Sequence, residues 1–241
     1  SDCFSNFIRI SVISSTIDNL NADKYSKMHI SLPPLTEQIQ IARFLDWKVG
    51  QINKFIKAKK HFNELLKEQK QAIINDAVTG KIDVRTGKPY PKYKPSGIEW
   101  LRDIPEEWEV RKIRRIASFN PSKSEIPDIL KKEKIVFLPM EKINVDGTFD
   151  DSCLKDYNEI ANGFTFFKKG DVAIAKITPC FENGKGACFN NLKTDFGFGT
   201  TELIILRPTS LMNGNFLRLI FSLKSFLKIG ENYMTGAAGQ K

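Results

Sequence analysis

The sequence predicts an α+β fold in which a mixed-sheet globular unit is joined to one long helix. Three observations lead there. Between Thr36 and about Val78 there is no proline, and Gly50 is the single glycine. Beyond about residue 98, short apolar runs alternate with Gly, Pro and Asn turns, and no internal repeat or low-complexity segment interrupts either part. At 241 residues and 41% hydrophobic content, the chain can bury a real core.

Residues 1–35 come first. Ile8, Ile10 and Val12 are spaced by two, as are Met28, Ile30 and Leu32, so each trio predicts a short strand before Pro33-Pro34 closes the segment. Strand-like sequence at the very start is expected of a domain whose beginning lies elsewhere. Thr36 then offers a capping hydroxyl, and Glu37 a carboxylate in the first turn, where the helix dipole favours negative charge. Along the helix, Leu45, Ile52, Phe55, Phe62, Leu66 and Ile73 follow three- and four-residue steps, with Lys48, Lys59 and Gln69 interrupting the same seam. At ~1.5 Å per residue such a helix reaches roughly 60 Å, too long for one wall of a compact core. Its seam is therefore expected to pair with a second long helix. Lys54, Lys57, Lys60, Lys67 and Lys70 fall on the outer face, as solvated or phosphate-tracking side chains.

Gly80 suits the helix end. Residues 81–97, rich in glycine, proline and lysine, read as a linker or wrapped loop, and a second globular unit, 98–241, begins near Ile98-Glu99-Trp100. Within it, strands are expected at Ile135 to Pro139, Asp171 to Ile177, Gly186 to Asn190 and Leu203 to Leu206, with a helix from about Asn215 to Leu227.

Lysine and arginine outnumber acidic residues 37 to 28, a net charge of +9 that favours a polyanionic partner. The cysteines, Cys3, Cys153, Cys180 and Cys188, form no Cys-x-x-Cys pair, which fits a reduced, intracellular protein. No run approaches the ~18 apolar residues of a membrane span, and Ser1 to Leu20 lacks secretory-signal character, so a cytoplasmic location is expected.

Catalytic chemistry finds little support. His29 and His61 stand apart from cysteines and carboxylate clusters, which argues against a histidine acid/base pair or a zinc site. No G-x-x-x-x-G-K-[ST] phosphate loop occurs, and after Gly197-Phe198-Gly199 the third glycine of a dinucleotide fingerprint is replaced by Glu202. Asn120-Pro121-Ser122-Lys123 lacks the second proline and the aromatic of an adenine methyltransferase signature. Asp150, Asp151 and Asp156 have no recognisable metal-binding company. What remains is KITPCFENGKG, where Asn183-Gly184 predicts a hairpin tip spanning Glu182 to Lys185. Lys176, Thr178, Asn183 and Lys185 carry the ammonium, hydroxyl and amide groups that hold phosphates and read base edges, and a β-hairpin fits the major groove. An ordinary polar turn is the plainer alternative.

LPPLTEQIQIARFLD, the long helix after it, QAIINDAVTGKID and SGIEWLRDIPEEWEVRKI resemble the central region of the specificity subunits of type I restriction-modification enzymes. GDVAIAKITPCFENGKGAC, GFGTTELIILRP and ENYMTGAAGQK resemble one variety of target recognition domain in that family. The order and spacing of these segments carry the resemblance over nearly the whole chain. It implies a non-catalytic subunit that holds two recognition domains apart on antiparallel helices, each domain reading half of a bipartite double-stranded DNA site. Modification subunits would supply S-adenosylmethionine and adenine methylation, and restriction subunits the ATP- and Mg-dependent translocation and cleavage. With the resemblance, Lys176, Thr178, Asn183, Lys185, Thr200, Thr201, Gln240 and Lys241 become the DNA-facing candidates.

The family pattern is recognition domain, helix, recognition domain, helix. Here a domain's tail, 1–35, precedes one helix, 36–80, and a recognition domain, 98–241, that lacks the closing segment. TIDNLNADKYSKMHISLPPL, residues 16–35, is the ending that normally follows the point where this chain stops. The layout is close to that of a cyclically permuted half-subunit, so a homodimer through the long helix is expected. The alternatives are a silent or incomplete specificity cassette, or a coiled-coil scaffold that binds protein.

Overall fold

The computed structural model describes residues 21–126 and 134–233. The chain divides into two compact units, 1–63 and 64–241, and one helix runs through the boundary. The expected strand at Ile8–Val12 lies outside the described residues.

In the first unit a short helix, α1 (Ala22–Ser26), starts where the Asn21 side chain accepts the Lys24 N–H. The Met28–Leu32 run forms no strand, and Ile30 and Leu32 are each 78% exposed. Alternation supplies two faces but not the hydrogen-bonding neighbour that a strand needs. The long helix α2 spans Leu35–Val78, 44 residues. It begins one residue before the expected cap: the Pro34 carbonyl accepts from Gln38 N–H, and the Gln38 amide reaches back to the Pro33 carbonyl at 2.7 Å. Thr36 is therefore inside the helix rather than at its cap.

At the other end the chain closes in a Schellman motif, Gly80 N–H to Ala77 O and Lys81 N–H to Asp76 O. Gly80 has φ +76°, and a Cβ there would sit 2.5 Å from Pro105 Cδ, so both conformation and packing require glycine. Residues 81–97 hold an Asp83–Lys88 bridge and β1 (Tyr93–Pro95), which pairs antiparallel with β2 (Asp103–Pro105). Asp83 is buried, and the hydrogen bond from Arg85 holds its carboxyl below the ordinary range.

The rest of the second unit is a sandwich. Its first sheet has the order β3-β10-β7-β8, from β3 (Ala117–Phe119), β7 (Val172–Ala175), β8 (Gly186–Cys188) and β10 (Leu203–Pro208). The second is β5-β4-β9-β6, from β4 (Lys134–Leu138), β5 (Leu154–Asp156), β6 (Thr165–Lys168) and β9 (Phe196–Gly199). All pairs are antiparallel except β4 with β9, which makes the second sheet mixed. Along β4 the period of two is visible on both faces. Val136 and Leu138 join the inner core with Phe167, Ala173, Phe189 and Ile205, whereas Ile135 and Phe137 pack outward with Phe166 and Phe198, together with Ile160 of α3 (Tyr157–Ile160).

The outer face of the first sheet is covered by α4 (Gly214–Phe221), through Leu217 and Phe221. The expected single helix from Asn215 to Leu227 is in fact two. Backbone N–H groups of Ser222 and Leu223 close the first helix on Leu219 and Ile220, and α5 (Lys224–Asn232) starts afresh. The break lets Phe221 and Phe226 meet edge to face, 4.9 Å between centroids.

Gly197 has its place in this core: a Cβ on it would lie 2.6 Å from Phe167 Cε2, so the bare strand receives the phenyl ring. Phe167 also stacks on Phe189 at 4.3 Å and is fully buried. Phe167→Ala is expected to cost ~3–5 kcal/mol, measured as a lower urea midpoint at unchanged m-value.

Candidate nucleic-acid interface

Parallel pairing sends β4 and β9 out at the same end of the sandwich, because Leu138 lies opposite Gly199. The segment after β4, Pro139–Lys142, therefore lies beside the 200–202 turn, where Thr200 N–H donates to Leu138 O at 3.4 Å. Antiparallel pairing of Ala175 with Leu203 brings the end of β7 to the same place, and Lys176 N–H donates to Glu202 O at 3.0 Å. Lys176, Thr178, Asn183, Lys185, Thr200 and Thr201 are thereby gathered at one end of the domain, although they come from two separate loops. Gln240 and Lys241 lie outside the described residues.

The loop differs from the expected hairpin tip at Glu182 to Lys185. Its strands end at Ala175 and start again at Gly186, so residues 176–185 form the connection. Within it Phe181 N–H donates to Ile177 O, Asn183 N–H to Pro179 O, Gly184 N–H to Phe181 O and Lys185 N–H to Cys180 O, at 2.7–3.2 Å. Asn183-Gly184 thus ends a coiled turn instead of making a tight hairpin, and Gly184 contributes its φ of +65° to that ending. The helical-type bonds satisfy the amides that a longer pair of strands would have satisfied.

This changes what each side chain can offer. Asn183 is exposed, but its amide group already donates to Pro179 O at 3.0 Å, leaving its carbonyl oxygen as the free acceptor. Thr201 is exposed, whereas the Thr200 hydroxyl is buried without a partner. A direct contact from Thr200 therefore requires its turn to rearrange, and Thr201 is the better placed of the two. Among the described residues, neither Lys176 nor Lys185 is engaged in an ion pair, so both ammonium groups remain available. Glu182 is exposed on the loop and Glu141 beyond β4. A carboxylate is an acceptor of the kind that pairs with the amino group of cytosine, and the sequence-based candidates included neither residue. Glu182 sat inside the quoted motif, while Glu141 had no signal, since its place depends on the β4–β9 pairing.

Several other motifs are structural. Asn120 uses its carboxamide to accept Ile205 N–H at 3.0 Å and adopts φ 45°, so it ties β10 to the chain after β3. Gly197 and Gly199 lie within β9 rather than in a loop before a helix. Asp150 is held well below the ordinary carboxylate range by the Lys142 ammonium and by Ser152, and it anchors Lys142 beside the 139–142 segment. Among the described residues no group of His, Cys, Asp and Glu is arranged to hold a metal ion, and no helix is long and apolar enough to cross a membrane.

The seam of α2 is a second candidate surface. Leu45, Ile52, Phe55, Phe62, Leu66 and Ile73 are 45–63% exposed. Phe44 and Trp47, which were not on the expected seam, are exposed too, with ring centroids 6.2 Å apart. A run of this kind is more apolar surface than an isolated helix normally offers to water.

The second unit thus carries hydrogen-bonding and cationic groups at one end of an α+β sandwich, and α2 carries an exposed apolar seam. The chain is 42% identical over 161 residues to the specificity subunit of the type I restriction enzyme EcoAI from Escherichia coli, covering 66% of this chain and 26% of that protein. It is 41% identical over 157 residues to the EcoEI specificity subunit of the same organism, covering 64% of this chain and 26% of that one. The aligned part spans about a quarter of these curated relatives. No family model matches. Among solved structures, a chain described under complex assembly and conformational transition of the type I R-M system superposes with a TM-score of 0.52 at 15% identity, over 92% of this chain and 50% of that one, a likeness of fold. The resemblance read from the motifs is thus matched by direct comparison: the chain is related in sequence to type I restriction enzyme specificity subunits.

Proposed function

We propose that this chain is a sequence-specific DNA recognition component of a type I restriction-modification complex, itself non-catalytic, directing adenine methylation and cleavage by partner subunits. The observation that carries the reading is the collection of Lys176, Asn183, Lys185 and Thr201 at one end of a domain, in a chain related in sequence to specificity subunits. Residues 98–241 form the target recognition domain, 36–80 the conserved helix, 81–97 the connection, and 1–35 the tail of a recognition domain. S-adenosylmethionine, ATP and Mg act on the modification and restriction subunits. Two copies pair through α2 as an antiparallel coiled coil in the cytoplasm, so that two identical domains read a symmetric bipartite site.

The test is co-expression with the modification subunit of the same system, followed by mapping of methylated adenines across the host DNA. A new bipartite motif with identical half-sites supports the proposal, and a soluble complex without new methylation counts against it. In the same assay Asn183→Ala is expected to relax preference at one base position, at a cost of ~1–3 kcal/mol in binding, while Lys185→Ala weakens all sequences alike. The other class of function, a protein-binding scaffold, predicts binding that ignores DNA and responds weakly to salt, whereas DNA affinity falls steeply as salt rises.

A further inference from the structure

Helix α5 contributes none of the candidate readers, yet it forms the seat of the 176–185 loop. A Cβ built on Gly230 would lie 2.2 Å from Phe181 Cζ and 2.9 Å from its Cε1, so the phenyl ring occupies space that only glycine leaves open. Nearby, a Cβ on Gly184 would stand 3.3 Å from Leu227 Cδ1 and 3.5 Å from Ser222 Cα. Cys180 packs, partly buried, against the inner core. The hydrogen bonds within the loop hold its shape but would travel with it if it moved. Its position on the domain is therefore set at its ends by the backbone bonds Lys176 N–H to Glu202 O and Ala175 N–H to Lys185 O, both 3.0 Å, and between them by Phe181 on Gly230, Gly184 on Leu227 and Cys180 on the core. Phe181 is the largest of these anchors.

We propose that Gly230 is a positioning residue for sequence discrimination: by seating Phe181 it places the 176–185 loop, and with it Lys176, Asn183 and Lys185, without itself touching DNA. This rests on the DNA-recognition reading above. Base readout demands donor–acceptor distances within a few tenths of an ångström of ~2.9 Å, so a loop displaced by about 1 Å loses its hydrogen bonds while lysines on flexible stems keep their phosphates. Misplacement should therefore degrade discrimination and spare the salt-dependent part of binding.

The experiment uses the full chain with its modification subunit and four forms: wild type, Gly230→Ala, Phe181→Ala, and Gly230→Ala combined with Phe181→Leu. Three quantities are read: the affinity ratio between target and single-mismatch DNA, the slope of affinity against salt, and maleimide labelling of Cys180 located by peptide mass spectrometry. The two single variants are expected to lower the affinity ratio on the order of tenfold, keep the salt slope, and increase Cys180 labelling. The combined variant, whose smaller side chain fits over alanine, is expected to recover most of the ratio and the Cys180 protection. Full discrimination and an unchanged Cys180 in Gly230→Ala would overturn the inference. So would a loss of discrimination with no recovery in the combined variant and a lowered melting temperature, which marks general damage. If wild type binds DNA without sequence preference while Cys180 responds as described, the DNA-recognition reading fails and only the loop anchorage stands.

Discussion

Arg207→Ala is expected to destabilise the second unit by ~3–5 kcal/mol, a large part of the 5–15 kcal/mol typical of a whole domain. The reason is Asp171, just before β7, whose side chain is 1% exposed. Arg207, from β10, meets it with two hydrogen bonds, Nε to Oδ1 at 2.7 Å and Nη2 to Oδ2 at 2.8 Å, and also pairs with Glu125. The bonds to Asp171 raise the Arg207 pKa above its ordinary value, so the guanidinium is charged at any working pH. Removing it leaves a buried carboxylate with the Lys168 backbone N–H, at 2.9 Å, as its remaining donor. Urea unfolding measures the loss. Arg207→Met with Asp171→Asn is expected to regain stability, because removing both charges removes the desolvation cost. A single-variant loss below about 1 kcal/mol would mean that solvent screens the pair, as it does exposed ones.

Phe62→Asp is expected to turn a dimer into a monomer. Phe62 is 53% exposed and stands between Phe55 and Leu66 on the seam of α2. Burying such a ring at the centre of a helix pair commonly carries 2 kcal/mol or more, so an aspartate there is expected to weaken association by at least ~30-fold. Light scattering at micromolar concentration reads the mass directly. Lys57→Glu, on the outer face, is the control and leaves the mass unchanged. A monomeric wild type at tens of micromolar would remove the homodimer from the proposal, and the seam would then await another partner helix.

Much of the architecture was legible because it is local. The absence of proline, the seam spacing and Gly80 predicted α2 within a residue or two of Leu35–Val78, since helix bonds join near neighbours in sequence. The strands expected at 135, 171, 186 and 203 are all present, shorter or longer by a few residues at their ends. Misreadings arose where distant partners decide. Met28–Leu32 alternates like a strand, yet no strand forms there. Asn183-Gly184 signals a tight hairpin, but the helical-type bonds donated by Phe181, Asn183, Gly184 and Lys185 close residues 176–185 into a coiled turn. The helix from 215 to 227 breaks at Ser222, with Phe221 buried and Phe226 partly buried against the same cluster, which no helical periodicity announces.

By itself, the sequence determined the fold class, the long helix with its apolar seam, the basic balance, and the relation to specificity subunits. These follow from residue type and short-range spacing, which survive without knowledge of the fold. The tertiary structure alone decided which loops share a surface. The parallel register of β4 on β9 and the antiparallel register of β7 on β10 place residues 139–142, 176–185 and 200–202 together, across separations of tens of residues. It also decided that Thr200 is turned inward and Asn183 half committed, because buried hydrogen-bonding groups are satisfied or stranded by neighbours that spacing along the chain does not name.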